Sequence, residues 1–517
     1  MTKAAGIVGA ATLVSRILGF LRDVAVAWFF GAGLAADAFF MAFTIPNLLR
    51  RLFAEGSLTI SFIPVFTEYL QRHGREEAFK LARSAWWLLA LILVLVTALG
   101  ILLSPLIVRI VAPGFYGSLE KFDLTVLLMR IMFPYVFFIC LVALAMGILN
   151  ALGHFAAPAL APVLLNVAMI GSLFFISPHL KKPAAGLAIG VIIGGGLQLA
   201  LQIVVMIRKG FHILMRSPLY HVAIKRIALL MTPAVFGAAV YQTNIIVGRF
   251  LASLLPEGSV SYLYYADRLV QFPLGVFAIA LATAVLPSLS RQAAVQDMDG
   301  LRASYTYALK LVFFISIPAM TGLIILRDPI VELLFERGAF DEVTTQGTAE
   351  ALVYYALGLW AFSGARIVIA AFYALQDTKT PVKIAVVSLL VNIALSVVLM
   401  GPMRHGGLAL ATSLASMVNL VLLARALRKR LGGISARDMV GSVLRATASA
   451  VVMGGAVAAG AVWAAPKCGQ SWHLLAWVLA SVVAGVALYG GCAYLFKCRE
   501  LGAVVDLVRT TVRKTHL

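Results

Sequence analysis

The residues best equipped for chemistry are arginines set within apolar sequence. One long apolar stretch holds Ser15-Arg16-Ile-Leu-Gly19-Phe-Leu-Arg22-Asp23. The next holds Asp37 and then Pro46-Asn47-Leu-Leu-Arg50-Arg51-Leu-Phe-Ala-Glu55-Gly56. Further along, Ser261-Tyr-Leu-Tyr-Tyr-Ala-Asp267-Arg268 opens another. A charge at bilayer depth costs about 2.5–3.5 kcal/mol on insertion scales, so such residues usually face a cavity or a partner. Guanidinium groups offer planar, bidentate donors, which suit a doubly charged anion such as a pyrophosphate. On a helix, Arg16 and Arg22 lie about 9 Å apart along the axis and about 120° apart around it, a spread that lines a wide cavity rather than a narrow one. Ser15, Gly19 and Arg22 share a face at i, i+4 and i+7. Arg51 and Glu55, four apart, are expected to pair, which leaves Arg50 the freer cation. Pro46 can kink its helix and release backbone groups.

Plainer accounts exist for several of these residues. A single arginine near a helix end usually snorkels, which serves as well for Arg22, Arg51 and Arg249. Arg366 and Lys310 read as paired or snorkelling. Asp37 and Asp267 read as caps or charge partners. Arg16, Arg50 and Arg268 together resist that explanation. Asn166 and Asn392 suit interhelical hydrogen bonds, and Trp86-Trp87 an interface belt. His154 and His405 are loop residues with no metal-ligand spacing, so no metal site is expected. No catalytic constellation is present: there is no Walker loop, no HExxH and no GxSxG. Gly194-Gly195-Gly196 lies inside an apolar run and suits close helix packing.

The elements that must carry these arginines are membrane spans. Of 517 residues, 62% are hydrophobic and 12% charged, with a mean hydropathy of +0.97. A soluble domain carries about a quarter charged residues. Apolar stretches long enough for a span of about 20 residues recur from end to end. The ten-residue alternation of a membrane barrel is absent. The expected fold is therefore all-α and integral to the membrane. Fourteen spans can be drawn, at 5–30, 35–69, 80–111, 122–150, 156–177, 184–208, 227–254, 259–290, 303–334, 344–374, 380–400, 405–430, 439–465 and 472–496. The net charge of +20 sits in short loops, which argues against nucleic acid. One set of loops, with both termini, holds about threefold more Lys and Arg than the other, which places both termini in the cytoplasm. Cys140, Cys468, Cys492 and Cys498 show no framework spacing. The first apolar stretch contains Arg16, Arg22 and Asp23, so a cleaved signal is not expected.

The chain also repeats itself. Asn150-Ala-Leu-Gly-His-Phe-Ala-Ala-Pro158 matches Tyr373-Ala-Leu-Gln-Asp-Thr-Lys-Thr-Pro381 at an offset of 223 residues. Ile107–Gly114 matches Val331–Gly338 at 224, and Gly186-Leu-Ala-Ile-Gly matches Gly407-Leu-Ala-Leu-Ala at 221. A unit of six spans preserves orientation, which predicts two parallel six-helix repeats about an axis along the membrane normal. The expected organisation is an N-terminal lobe at 1–210, a basic cytoplasmic linker at 211–226, a C-terminal lobe at 227–432, and two additional helices with a tail at 433–517.

The motifs around Arg16, Asp37 and Arg50 closely resemble those of the MurJ (MviN) lipid II flippases, within the multidrug/oligosaccharidyl-lipid/polysaccharide exporter superfamily. So do Tyr264-Tyr-Ala-Asp267-Arg268-Leu and Phe155-Ala-Ala-Pro158-Ala-Leu-Ala-Pro162. The resemblance runs over nearly the whole chain. It implies a bacterial inner-membrane transporter, not an enzyme. Undecaprenyl-pyrophosphate-linked disaccharide-pentapeptide would move to the periplasmic leaflet by alternating access, for peptidoglycan synthesis and cell shape. Family cavity arginines fall on Arg16, Arg22, Arg50 and Arg268, with Asp37, Ser15, Asn47 and Ser261 also on family positions. Gly19, Pro46, Pro158, Arg51, Glu55 and Asp267 take structural or hinge roles. Two C-terminal helices would form a groove for the lipid tail. No cofactor is implied. A coupled cation such as Na+ or H+ is a family expectation, but no pattern identifies its site, Asp377-Thr378 being a weak candidate. Membrane lipids and the cell-wall synthesis machinery are the other partners the family suggests. Alternatives are a flippase for another lipid-linked oligosaccharide or a drug exporter, although a drug exporter of cations would favour an acidic cavity. A membrane glycosyltransferase would need an acidic base among Glu332, Glu336 and Asp341.

Overall fold

A backbone in hydrocarbon must satisfy its own hydrogen bonds, and this chain does so with helices. The computed structural model describes residues 2–52, 58–215, 218, 220–432, 436–464, 471–502 and 504–505. The described residues are 89% helical and include no strand. Among those residues nine helices are long and apolar enough to cross a membrane, or ten if Glu342–Ala356 and Leu359–Ala374, bent by 43°, form one span. Two compact units divide the chain.

The first unit is Met1–Ser261 with Arg337–Phe340. It contains α1 (Thr2–Phe30), α2 (Leu34–Leu49), α3 (Leu58–Arg72), α4 (Gly74–Leu102), α5 (Ser104–Val111), α6 (Leu119–Met132), α7 (Tyr135–Ala151), α8 (Ala156–Phe175), α9 (Pro183–Arg208), α10 (Val222–Ser253) and the opening of α11 (Ser259–Pro273). Its core lies at α6 and α7, where 72% of the most apolar stretch is buried, against 22% for α4. On α4, Leu91, Val94, Leu95 and Leu99 stand exposed. Apolar surface of that kind on a spanning helix faces lipid. Trp86 is buried rather than at an interface. Trp87 is exposed, and its Nε1 donates to the Ile213 carbonyl at 3.2 Å. The basic connection is strapped along α4 by that bond, by Ser84 Oγ to the Pro218 carbonyl at 2.6 Å, and by Phe211 edge-on to Phe79. Pro46 lies within α2, and the backbone widens to a π turn at Arg50–Leu52. Pro158 falls in the first turn of α8, where its missing N–H leaves no bond unmade.

Glycines let α9 approach both α8 and α7. A Cβ on Gly194 would lie 2.7 Å from Leu165 Cδ1, and one on Gly195 2.9 Å from Tyr135 Cδ2, while Gly196 meets nothing within 4 Å. Gly186 is tighter still, because its Cβ would stand 2.7 Å from the backbone N and Cα of Ser177. Gly186→Ala is expected to destabilise the protein by about 1–3 kcal/mol through forced backbone movement, with Gly196→Ala close to neutral. Thermal unfolding of the two variants in detergent checks this, and equal melting points would contradict it.

The second unit, Tyr262–Glu336 with Asp341–Leu517, holds the rest of α11, a π-helical stretch at Leu274–Ile279, α12 (Ala280–Ala294), α13 (Met298–Ile325), α14 (Arg327–Phe335), α15 (Glu342–Ala356), α16 (Leu359–Ala374), α17 (Lys379–Leu431), α18 (Ala436–Ala464) and α19 (Ser471–Leu495). At 53 residues α17 would reach about 80 Å if straight, more than twice the hydrocarbon core of a bilayer. It folds back instead. Arg404 adopts φ 48°, ψ −128°, and Ser388 Oγ donates to the Ala415 carbonyl at 2.9 Å, so the halves lie side by side. α19 is fastened to α13 by Tyr489 Oη, which donates to the Phe314 carbonyl at 2.7 Å.

Ahead of α17, Asp377 accepts from the amides of Lys379 (3.1 Å) and Thr380 (3.0 Å) and from Thr380 Oγ (2.7 Å), and pairs with Arg430. The Thr380 amide and hydroxyl, then the Arg430 charge, hold its carboxyl below the ordinary carboxylate value. A group with a depressed folded pKa adds stability above its unfolded value and loses it as pH falls through the folded one. Asp377→Asn should therefore lower thermal stability at neutral pH. The gap to the native protein should close as pH falls below the carboxylate range, whereas a gap constant with pH would contradict the cap.

Candidate functional site

The first unit brings together four residues of the arginine-bearing motif with one from α8. Arg22 directs Nε and Nη2 at Asp23 Oδ1, at 3.1 and 2.7 Å, and Nη1 at Asn166 Oδ1, at 3.1 Å. Asn166 Nδ2 in turn donates to the Ser15 carbonyl at 3.1 Å. Gly19 leaves room for that amide: a Cβ there would sit 3.6 Å from Asn166 Nδ2, ordinary contact. The side chains of Arg22 and Asp23 are only 13% and 3% exposed, so Arg22 is a largely enclosed, charge-compensated arginine. Arg16 differs. It is exposed on α1, and among the described residues it makes no hydrogen bond or ion pair.

Arg50 opens the π turn after α2, half-buried, with Nε donating to Asn47 Oδ1 at 3.0 Å. Asn47 thus orients the guanidinium from one helical turn away. Arg51 is half-buried, with its Nε enclosed and unbonded among the described residues. Its expected partner Glu55, with Gly56, lies outside the described residues.

Asp37 has a different role from the arginines. Its carboxylate is 1% exposed. Oδ1 accepts from the Ser261 amide (2.9 Å) and Ser261 Oγ (2.6 Å), and Oδ2 from Lys121 Nζ (2.7 Å) and the Gly258 amide (2.9 Å). A carboxylate has about four acceptor sites, and all four are used. Lys121 is itself buried and stands 4.3 Å from the Phe115 ring centre. Asp37 and Ser261 therefore tie α2, α6 and the opening of α11 together, and neither faces solvent. Arg249 Nη1 donates to the Val260 carbonyl at 3.2 Å beside them.

In the second unit Arg268 is exposed on α11, with Nε and Nη2 on Tyr264 Oη at 3.3 and 2.9 Å and its guanidinium 5.0 Å from that ring. Asp267 accepts from Gln271 Nε2 at 3.4 Å. Arg366 is exposed and Lys310 half-buried. His405 sits at the α17 turn, with Nε2 2.9 Å from the Gly347 carbonyl and 3.5 Å from Glu350 Oε2. No group of His, Cys, Asp and Glu able to hold a metal occurs among the described residues.

These positions supply cations in two settings. Arg22 is spent on internal partners, whereas Arg16, Arg50 and Arg268 keep exposed or half-exposed guanidinium groups, two of them steadied by a neutral neighbour. Asn47 and Tyr264 each orient a guanidinium through a hydrogen bond, and an oriented guanidinium suits an anion.

Known proteins agree over most of the chain. The family model described as "Lipid II flippase MurJ" matches residues 26–484. A probable lipid II flippase MurJ of Vibrio cholerae serotype O1 is 39% identical over 464 residues, covering 88% of each chain. The solved structure "Lipid II flippase MurJ, inward closed conformation" superposes with a TM-score of 0.80 at 28% identity, over 95% of this chain and 98% of that one. An inward-facing multidrug resistance MATE transporter of the MOP superfamily shares the fold, with a TM-score of 0.68 at 16% identity over 83% and 98%.

Proposed function

The chain belongs to the MurJ family of lipid II flippases, and from that premise we propose that it carries lipid II to the outer leaflet of the bacterial inner membrane, its pyrophosphate held by membrane-embedded arginines. It is a multi-pass membrane transporter and not an enzyme. The observation that carries the arginine reading is Arg16: an exposed guanidinium, with no carboxylate partner among the described residues, on a helix of 29 otherwise mostly apolar residues. Leaving such a charge without a carboxylate is costly unless an anion visits it. Arg50 and Arg268, oriented by Asn47 and Tyr264, supply further cations, and Arg22 supports α1 from behind through Asn166.

Alternating access between two parallel six-helix repeats, with α18 and α19 as the additional pair and both termini cytoplasmic, completes the reading. Helix bounds support the repeat: Leu102 and Ile325 end long helices 223 residues apart, and Leu119 and Glu342 begin α6 and α15 at the same spacing. Gly186 and Gly407, matched in sequence, both press on backbone, of Ser177 and Leu399. Fourteen spans follow if α15 and α16 form one span and α1, α2 with α3, α10 and both halves of α17 each cross. The exposed apolar faces of α18 and α19 suit a lipid tail, and a coupled cation such as Na+ or H+ would drive the cycle. The first test is growth of cells in which this protein is the sole flippase. Arg50→Ala and Arg268→Ala should each fail to support growth while reaching the membrane at normal levels. Growth of both would contradict the arginine reading. Transport of another lipid-linked oligosaccharide in preference to lipid II would favour the wider superfamily activity.

A further inference from the structure

The end of α17 holds a basic recess that the flippase reading does not use. A groove of about 740 Å³ opens between the two halves of the hairpin, with Ile384 on the first half and Leu422, Arg425, Arg428 and Lys429 on the second. Leu422, Arg425, Lys429 and Gly432 follow at i, i+3, i+7 and i+10, so they form one stripe running from apolar to cationic. The three cations are exposed, and among the described residues none has a carboxylate partner. Their neighbour Arg430 is spent on Asp377. Beyond the groove, Arg302 donates from Nε to the Leu431 carbonyl and pairs with Asp299 through Nη1 at 2.7 Å. Gly432 ends the helix at φ 73°, and a Cβ there would stand 3.0 Å from Arg302 Nη2. The recess is therefore walled by positive groups and floored by aliphatic ones.

Basic residues at a helix end answer the dipole and the positive-inside rule, but neither requires a recess with an apolar floor. We propose that this groove binds an anionic glycerophospholipid of the adjoining leaflet, phosphate on Arg425, Arg428 and Lys429, acyl chain along Leu422 and Ile384. Location favours a lipid over a dissolved anion: the stripe begins within a membrane-crossing helix and ends where headgroups lie. The inference rests on α17 crossing the bilayer and not on the identity of the transported substrate.

The test is lipid retention by the full-length purified protein, read by native mass spectrometry after exchange into phosphatidylglycerol or phosphatidylcholine. The native protein is expected to hold phosphatidylglycerol in preference. Arg425→Gln/Arg428→Gln/Lys429→Gln should lose affinity on the order of a hundredfold, and Arg425→Gln alone about fivefold. The single variant keeps the test decisive should the triple one fail to fold. Lys181→Gln/Lys182→Gln, at the other membrane face, should change nothing. Equal retention by the Arg425 variants, an equal loss in the Lys181/Lys182 variant, or displacement of the lipid by millimolar inorganic phosphate would each overturn the proposal. Lipid II transport measured on the same samples separates this result from the flippase reading.

Discussion

Arg16→Ala is expected to abolish lipid II translocation while leaving the protein folded and inserted. Arg16 is exposed and has no ion-pair partner among the described residues, so its removal breaks no internal contact that holds α1 in place. What is lost is a charged donor to a phosphate. Hydrogen bonds to charged groups contribute about 1.5–3 kcal/mol each, which is roughly ten- to more than a hundredfold in affinity. Arg16→Lys keeps the charge but not the bidentate fork, and should retain weak activity. The checks are membrane abundance, melting temperature and transport for each variant. Unchanged transport by Arg16→Ala would remove the main support for an anion site on α1. Arg22→Ala should behave differently and lower the melting temperature as well, because it frees Asp23 and Asn166 in an enclosed position.

The second large effect is expected at Asp37. Asp37→Ala leaves Lys121 buried without its counter-charge, a change of about 3–5 kcal/mol for a broken buried pair. It also orphans the Gly258 and Ser261 amides and Ser261 Oγ. The variant should melt far below the native protein or fail to accumulate. Asp37→Ala/Lys121→Met removes the stranded charge and should recover part of the loss. Ser261→Ala forfeits one neutral-to-charged bond and should cost less than either. Thermal unfolding in detergent orders the four proteins. If Asp37→Ala kept native stability yet stopped transport, the carboxylate would act on substrate instead of on the fold.

Much of this is legible in the sequence, for physical reasons. Long apolar runs can be satisfied in hydrocarbon only as helices, so the fold class followed from hydropathy. Asn166, a polar residue in an apolar helix, had to find a partner across a helix interface, and it found the Ser15 carbonyl and Arg22. The glycines at 194 and 195 packed as their setting implied. The misses have physical causes too. Neighbouring residues on a helix point apart, so spacing alone does not pair Asp23 with Arg22. An arginine is long enough to turn its Nε back, and here it does. Nothing in the sequence pairs Lys121 with Asp37, because their contact spans 84 residues of sequence and only tertiary packing makes it. Its position at the start of an apolar helix was the available signal. Trp86 looked like half of an interface pair, but helix geometry turns adjacent residues about 100° apart, and only Trp87 points outward. The π turn that carries Arg50 has no sequence signature beyond the proline four residues earlier.

The central claim is that this chain moves lipid II between leaflets with exposed arginines as the anion clamp. The most direct measurement uses purified protein in liposomes loaded with lipid II in one leaflet, followed by a leaflet-specific probe, with native protein, Arg16→Ala and empty liposomes side by side. The account predicts translocation by the native protein alone, and rates for Arg16→Ala indistinguishable from empty liposomes. Native protein no faster than empty liposomes, or Arg16→Ala as fast as native, would contradict it.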